Sequence, residues 1–401
     1  MTGRAGPRPR PATDAELADW DRIAVHGPEG HVLQSRAWAE HRRRTGWTPE
    51  FWVYDDGSRA LVLRRAWPLL PGGSAYVPRG PVAAEAGTDR AGLLVGLAAA
   101  LADLGLDVLA ADPEVPAATP GYLDRIRAAG FRPIEEIQPA RHRLALALDP
   151  SAGEGAAFAR IARPTRQRIR AAERAGLVIA RYDRAWSGDS GPGLTGPVEP
   201  VERAFARFAE LLARTGARRG FGFDRADLFA WWLAGHAAGH VVLLLGYESV
   251  PADGLSGPLT DLPIAGLLLY RRGRRLSTVH SGDLVAARRW WPGALALLRW
   301  RAIQLALGGG PDGARPGRRR SARNAADPEA RRAALRSLRA QAILRTGVAR
   351  AGGGARVRRS ADPLCCRAGP RSTRPAVPAA MTARRSDQER GGTRRSSEPV
   401  R

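Results

Sequence analysis

The sequence has no lysine, and its only two cysteines, Cys365 and Cys366, stand side by side toward the C-terminus. Residues 1–364 can therefore hold neither a disulfide framework nor a thiolate metal site, which fits a reducing compartment. No grouping of His, Cys and carboxylates has the spacing of a metal centre either, so no metal is expected. Long apolar runs are also missing. The longest, Ala91 to Leu106, is interrupted by Asp103 and is too short to span a bilayer. Met1 to Pro11 is rich in Arg and Pro and lacks the apolar centre of a signal peptide. The expectation is a cytoplasmic protein with no transmembrane segment, contact with the inner face of the membrane being left open.

From Gly308 onward there is no Phe, Trp or Tyr. What residues 308–401 do have is charge: 23 Arg against 7 Asp and Glu, which is +16 of the chain's +24. A segment without aromatics cannot bury enough surface to offset chain entropy, so a disordered tail is expected there. Residues 1–307 keep a moderate +8. That balance suits a polyanionic partner such as RNA or phosphates, and equally a solvated arginine surface.

Within residues 1–307 the elements alternate. A helix is expected over Asp14–Ala24 and another after Ser35, an N-cap, through Arg44 to Gly46. Phe51–Tyr54 and Ala60–Trp67 read as strands joined across Asp56-Gly57, a hairpin signal. A third extended piece, Ala75–Val82, precedes a helix (Asp89–Leu104), a strand (Asp107–Ala111), a helix (Gly121–Ala129) and a strand (Arg143–Leu148). Ser151–Leu177 is arginine-dense and helical, broken at Pro164. Helices Val201–Arg214 and Arg225–Ala238 then lead into strands Val241–Tyr247, Ile264–Tyr270 and Leu276–His280, and a helix over Ala294–Leu307. The order helix, three strands, helix thus occurs twice, without a residue-level repeat. It is typical of acyl-transferring folds of the N-acetyltransferase type. The Arg/Gln-x-x-Gly-x-Gly/Ala loop that cradles pyrophosphate in users of acetyl-CoA is absent from both expected positions, so no cofactor is expected. The expected fold class is α/β (α+β), with two tandem N-acetyltransferase-like lobes, the second incomplete, and a disordered C-terminal tail. The boundaries are 1–12 for a disordered start, 13–150 and 151–307 for the lobes, and 308–401 for the tail.

Six patterns stand in order along this frame. They are Gln34-Ser35-x-x-Trp38 with Arg42 and Gly46-Trp47, and Tyr76-Val-Pro-Arg79-Gly80-Pro81-Val82. Asp112-Pro113-Glu114 follows, with Gly130-Phe131 and Ile137-Gln138-Pro139. Then come Thr165-Arg166-x-x-Ile169-Arg170-x-Ala172-Glu173-x-x-Gly176, Thr215-x-x-Arg218-x-x-Phe221 leading to Arg225, and Pro292 with Trp300-x-Ala302-Ile303. Together they resemble the FemABX family, non-ribosomal peptidyltransferases that move an amino acid from aminoacyl-tRNA onto the side-chain amine of a peptidoglycan precursor. The resemblance covers residues 30–305 and implies two partners: an aminoacyl-tRNA and a lipid-linked or nucleotide-linked precursor.

The resemblance also nominates substrate-binding residues. Arg42 stands where the family carries a lysine that looks to contact precursor phosphates; the guanidinium keeps the charge and adds a fork. Gln34 belongs to the same pattern, next to a helix cap. Arg79, between prolines and a glycine, sits on a rigid backbone that would aim its guanidinium. Arg166 and Arg170 belong to a run of six arginines over 160–174, which phosphate neutralisation or a solvated face would each explain. Gln167-Arg168 departs from the family's aromatic-Asn pair at this place. Arg218 and Arg219 stand before Phe221, and His280 ends a predicted strand where the family has a tyrosine- and glycine-bearing strand; a catalytic base and a structural histidine are both open readings there. Ser281 has no Asp and His partners at elbow spacing, so no covalent nucleophile is assigned.

Two other readings stay open: acyl transfer to another amine or a protein terminus, and a non-catalytic basic RNA- or phosphate-binding protein. In relatives the helix ending near Leu307 leads into a further strand, whereas here Gly308-Gly309-Gly310-Pro311-Asp312 follows. A change of reading frame or a decayed terminus is therefore expected, with an exposed sheet edge and impaired activity as its consequences.

Overall fold

The computed structural model describes residues 7–69, 71–116, 119–134, 142–185, 193–248, 263–308, 340–342 and 346–350. Its first half runs β1 (Pro9–Pro11), α1 (Asp14–Ala18), α2 (Trp20–Ala24), α3 (Arg36–Arg43), β2 (Thr48–Tyr54), β3 (Arg59–Ala66), β4 (Gly73–Val77), α4 (Arg90–Asp103), β5 (Val108–Ala111), α5 (Tyr122–Ala128) and β6 (His142–Leu144). The second runs α6 (Gly153–Ala159), α7 (Arg163–Arg174), β7 (Val178–Tyr182), α8 (Val201–Arg219), α9 (Arg225–Ala237), β8 (Val241–Tyr247), β9 (Ala265–Arg272), β10 (Arg275–Asp283) and α10 (Ala294–Gly308). Two short strands follow, β11 (Ala340–Ala342) and β12 (Thr346–Arg350).

Local chemistry explains most of these boundaries. Asp56 accepts from the Ser58 amide and Gly57 takes φ +80°, which closes the β2–β3 hairpin. The single helix expected over 14–24 is two, because Asp19 leaves helical geometry (φ −100°, ψ 12°). Pro164 opens α7 within its first turn, where its missing N–H costs no helical bond. The start, expected to be disordered through residue 12, instead supplies β1, whose two prolines are tolerated on an edge strand. No expectation covered β7, which completes the second sheet.

The first sheet has the order β1-β2-β3-β4-β5-β12, antiparallel except for the parallel pair β4 and β5. The second, β10-β9-β8-β7, is antiparallel throughout. Both halves therefore follow one succession, and β10 occupies the place of β4. Among the described residues no strand pairs with the outer edge of β10. Strand β11 pairs with β6, and β12 with β5. The rest of residues 309–401, on which the expectation of a disordered and frame-changed tail falls, lies outside the described residues.

Three buried apolar clusters organise these layers. One lies on the α4 and α5 side of the first sheet (Leu93, Leu97, Ile126) and one on the α7 and α10 side of the second (Ile169, Leu267, Leu298). The third is shared: Trp20, Trp38 and Leu61 from the first half pack with Phe205, Trp231, Trp232 and Leu268 from the second. Trp38 of α3 meets Trp231 of α9 edge to face at 4.8 Å, and the Trp231 indole donates to the Tyr270 hydroxyl at 2.7 Å. Replacing Trp231 by Ala is expected to destabilise the protein by about 3–5 kcal/mol, read as a lowered midpoint in guanidinium unfolding.

Candidate functional site

The carboxyl ends of the parallel strands β4 and β5 meet at Asp112, one residue beyond β5. Its buried carboxylate accepts from the Tyr76 hydroxyl (2.9 Å) and from the Arg79 amide (2.8 Å) through Oδ1. Arg79 has φ +56°, a left-handed conformation unfavourable for a residue with a Cβ. The Asp112 carboxylate holds its backbone there, and the Arg79 Nε lies 3.5 Å from Oδ2. Gln34 braces the same turn. Its amide donates to the Pro78 carbonyl (2.5 Å) and accepts from the Leu61 amide (2.7 Å). Gly80 has no Cβ because the Gln34 side chain would stand 2.6 Å from it.

Three of the nominated residues are buried. Gln34 is fully buried, with its amide committed to backbone groups. Arg79 is 3% exposed and turned onto Asp112, so the rigid turn aims its guanidinium inward. Arg42 is 6% exposed, stacked near the Trp38 and Trp47 rings (5.4 and 5.9 Å) with the Asp227 carboxylate of α9 at 3.7 Å. None of the three presents a free cation or amide to an incoming ligand. Arg166 is partly buried, and it caps the end of α6 by donating to the Ala159 and Ile161 carbonyls (2.7 and 3.0 Å).

The remaining nominations lie on the second half, His280 partly buried and Arg170, Arg218 and Arg219 exposed. Arg218, at the end of α8, reaches the carboxylate of Asp283 at the end of β10 (3.1 Å), and Arg288 holds the same carboxylate at 2.5 and 3.0 Å. Partial burial pushes the Asp283 carboxyl up, but the hydrogen bonds and charge of Arg288 and Arg218 outweigh it and hold the group below the usual carboxylate range. Arg219 is exposed beside Arg218. Trp290 is 66% exposed, with the Arg289 guanidinium 5.4 Å over its ring. Three residues before Asp283, His280 follows a register shift in β10 and packs half-buried against Trp232, 5.6 Å between ring centroids. Burial alone pushes its imidazole down to about 4, so it is neutral at pH 7. Arg170 is exposed on α7 with its guanidinium 5.5 Å over Phe158, beside an open depression lined by Gln167, Arg170, Glu173 and Arg174.

The nominations thus fall into a buried set that builds the fold (Gln34, Arg42, Arg79), a partly buried pair (Arg166, His280) and an exposed set on the second half (Arg170, Arg218, Arg219). Asp112, Asp283 and Arg288 were not nominated. Asp112 stood in the Asp-Pro-Glu pattern and could have been found there. Arg288 and Asp283 carried no signal beyond their charge. Among the described residues no group of His, Cys and carboxylates could hold a metal ion, and no helix is long and apolar enough to cross a membrane.

The geometry defines a class first: a doubled acyltransferase-type α/β fold whose second sheet, among the described residues, ends at β10. Within that class the chain has the fold of FemX. A crystal structure of FemX aligns with a TM-score of 0.57 at 16% identity, over 86% of this chain and 96% of that one. A tandem GNAT protein from the clavulanic acid biosynthesis pathway, solved without AcCoA, aligns with a TM-score of 0.43 at 17% identity, over 87% and 99%. No family model and no curated protein matches the chain. The fold expected from the six sequence patterns is the fold observed.

Two predictions follow from the geometry. Asp112→Ala leaves the Arg79 charge buried without its counter-charge and should cost about 3–5 kcal/mol, whereas Asp112→Asn, which keeps an acceptor oxygen for the Tyr76 hydroxyl and the Arg79 amide, should lose less in urea unfolding. For His280, the folded imidazole titrates near 4 against 6.5 for the free group, so the unfolded chain takes up the proton first as pH falls. Its contribution to stability is full above pH 6.5 and is lost as pH drops toward 4, and His280→Phe should flatten the stability–pH curve in that window.

Proposed function

We propose that the protein is an acyltransferase that moves an amino acid from aminoacyl-tRNA to the side-chain amine of a peptidoglycan precursor. The observation that carries this reading is the FemX fold itself, which extends over 86% of the chain and bears the FemABX-like patterns in order. The accessible residues of the second half fit the chemistry required. An aminoacyl ester is already activated, so a deprotonated amine can attack it without a covalent enzyme intermediate once both are held in line. The new bond joins the amine nitrogen to the carbonyl carbon, the ester C–O bond breaks, and the ribose oxygen leaves carrying a proton. In this reading His280, neutral at pH 7, would accept a hydrogen bond from the amine and pass its proton onward. Arg218 and Arg219 would hold an anionic part of the precursor, with Arg288 sharing Asp283 to orient Arg218.

The test is transfer of a radiolabelled amino acid from a panel of charged tRNAs to lipid-linked and nucleotide-linked precursors. Transfer is expected, with His280→Gln lowering kcat by about 10²–10⁴-fold. Calorimetry is expected to find no acyl-CoA binding. A folded protein that transfers nothing from any charged tRNA, or that binds acyl-CoA and acylates another amine, overturns the assignment.

A further inference from the structure

Helix α7 turns one face inward, with Ile169 and Ala172 buried in the cluster beneath the second sheet. Arg163, Gln167, Arg170 and Arg174 recur at spacings of four, three and four on the opposite face, and all are exposed. About half of the other arginines in residues 1–307 are neutralised, among them Arg22 by Asp19, Arg43 by Glu40, Arg214 by Glu210 and Arg271 by Asp183. Among the described residues Arg163, Arg170 and Arg174 have no carboxylate partner. The only acid of α7, Glu173, is bound by Arg301 of α10 at 3.0 Å. Arg170 is oriented by the Phe158 ring, which positions a guanidinium without cancelling its charge.

We infer that this stripe is a docking surface for an RNA backbone, the body of the tRNA that carries the amino acid. The inference rests on the reading above for the choice of RNA. Length decides against the precursor diphosphate as occupant. From residue 163 to 174 a helix rises about 16 Å, far more than two linked phosphates span. It suits a run of successive phosphates on one strand, each met by a planar fork. An anionic membrane surface fits less well, since the stripe has no apolar side chain to insert and the apolar face of α7 is buried in the core.

The experiment compares the full chain with Arg163→Gln/Arg170→Gln/Arg174→Gln and a charge-matched control, Arg22→Gln/Arg43→Gln/Arg214→Gln. An uncharged acceptor-stem RNA hairpin is titrated at several salt concentrations, and vesicles of anionic phospholipid are sedimented in parallel. The α7 variant is expected to bind RNA at least ten-fold more weakly at 0.15 M salt, with a log–log salt slope shallower by about 2. The control is expected to match the unsubstituted chain. Equal losses in both variants would show that only net charge matters, and would overturn the proposal. Loss of vesicle binding with RNA binding retained would overturn it in favour of a membrane. Because the hairpin carries no amino acid, a failure here leaves the transfer assay free to succeed, and absent transfer with intact α7-dependent RNA binding would sink the function alone.

Discussion

The edge-to-face packing of Trp38 on Trp231 is the contact on which the two sheets depend for their relation. Neither sheet can bury its inner face alone. Helices α2 and α3 lie over the first sheet and α8 and α9 over the second, and their large side chains fill a single cluster between the sheets. Burial of this kind is non-directional. The directional part comes from charge. His41 lies 3.0 Å from Asp227, His240 lies 3.2 Å from Asp21, and Arg272 joins Glu114 and the Gly30 carbonyl at 2.9 and 3.0 Å. Each of these pairs links the first half of the chain to the second. Removing one partner would leave a buried polar group unsatisfied, a penalty that exceeds the small net gain of forming the pair. The pairs therefore make a shifted docking of the halves costly.

The same seam encloses some of the arginines. Arg42 and Arg79 look alike in sequence to arginines that meet phosphates, yet both are enclosed by the first half and its contacts. Exposed arginines stand instead on the second half, where β10 is the last strand of its sheet among the described residues and α8 carries Arg218 and Arg219 toward its end. This asymmetry follows from the strand count. In the first half β5 lies parallel to β4, and Asp112 at its end locks the Arg79 turn from inside. At the matching end of β10 there is no such strand among the described residues, and Asp283 is held by arginines that reach it from outside.

Much of the fold could be read from local signals. The Asp56-Gly57 hairpin, the Ser35 cap and the strand at Val241–Tyr247 stand where the sequence predicts them, because turn chemistry and apolar runs act over a few residues. Strand β1 escaped notice because proline and arginine argue against a strand, and only its pairing with β2 overrides them. The site was harder to read. His280 was visible as a histidine at a strand end, but its neutral state comes from burial against Trp232, a residue 48 positions earlier. Asp112 was visible only as part of a pattern, without its role.

By itself the sequence determined the order of most elements, the doubled succession and the change of composition at residue 308, all properties of neighbouring residues. Only the tertiary structure decided which arginines are spent and which are free. Arg42 is neutralised by a carboxylate 185 residues away, and Glu173 is withdrawn from its own helix by Arg301. A charge is free or paired according to what folding brings beside it, and spacing along one helix cannot report a partner supplied by another.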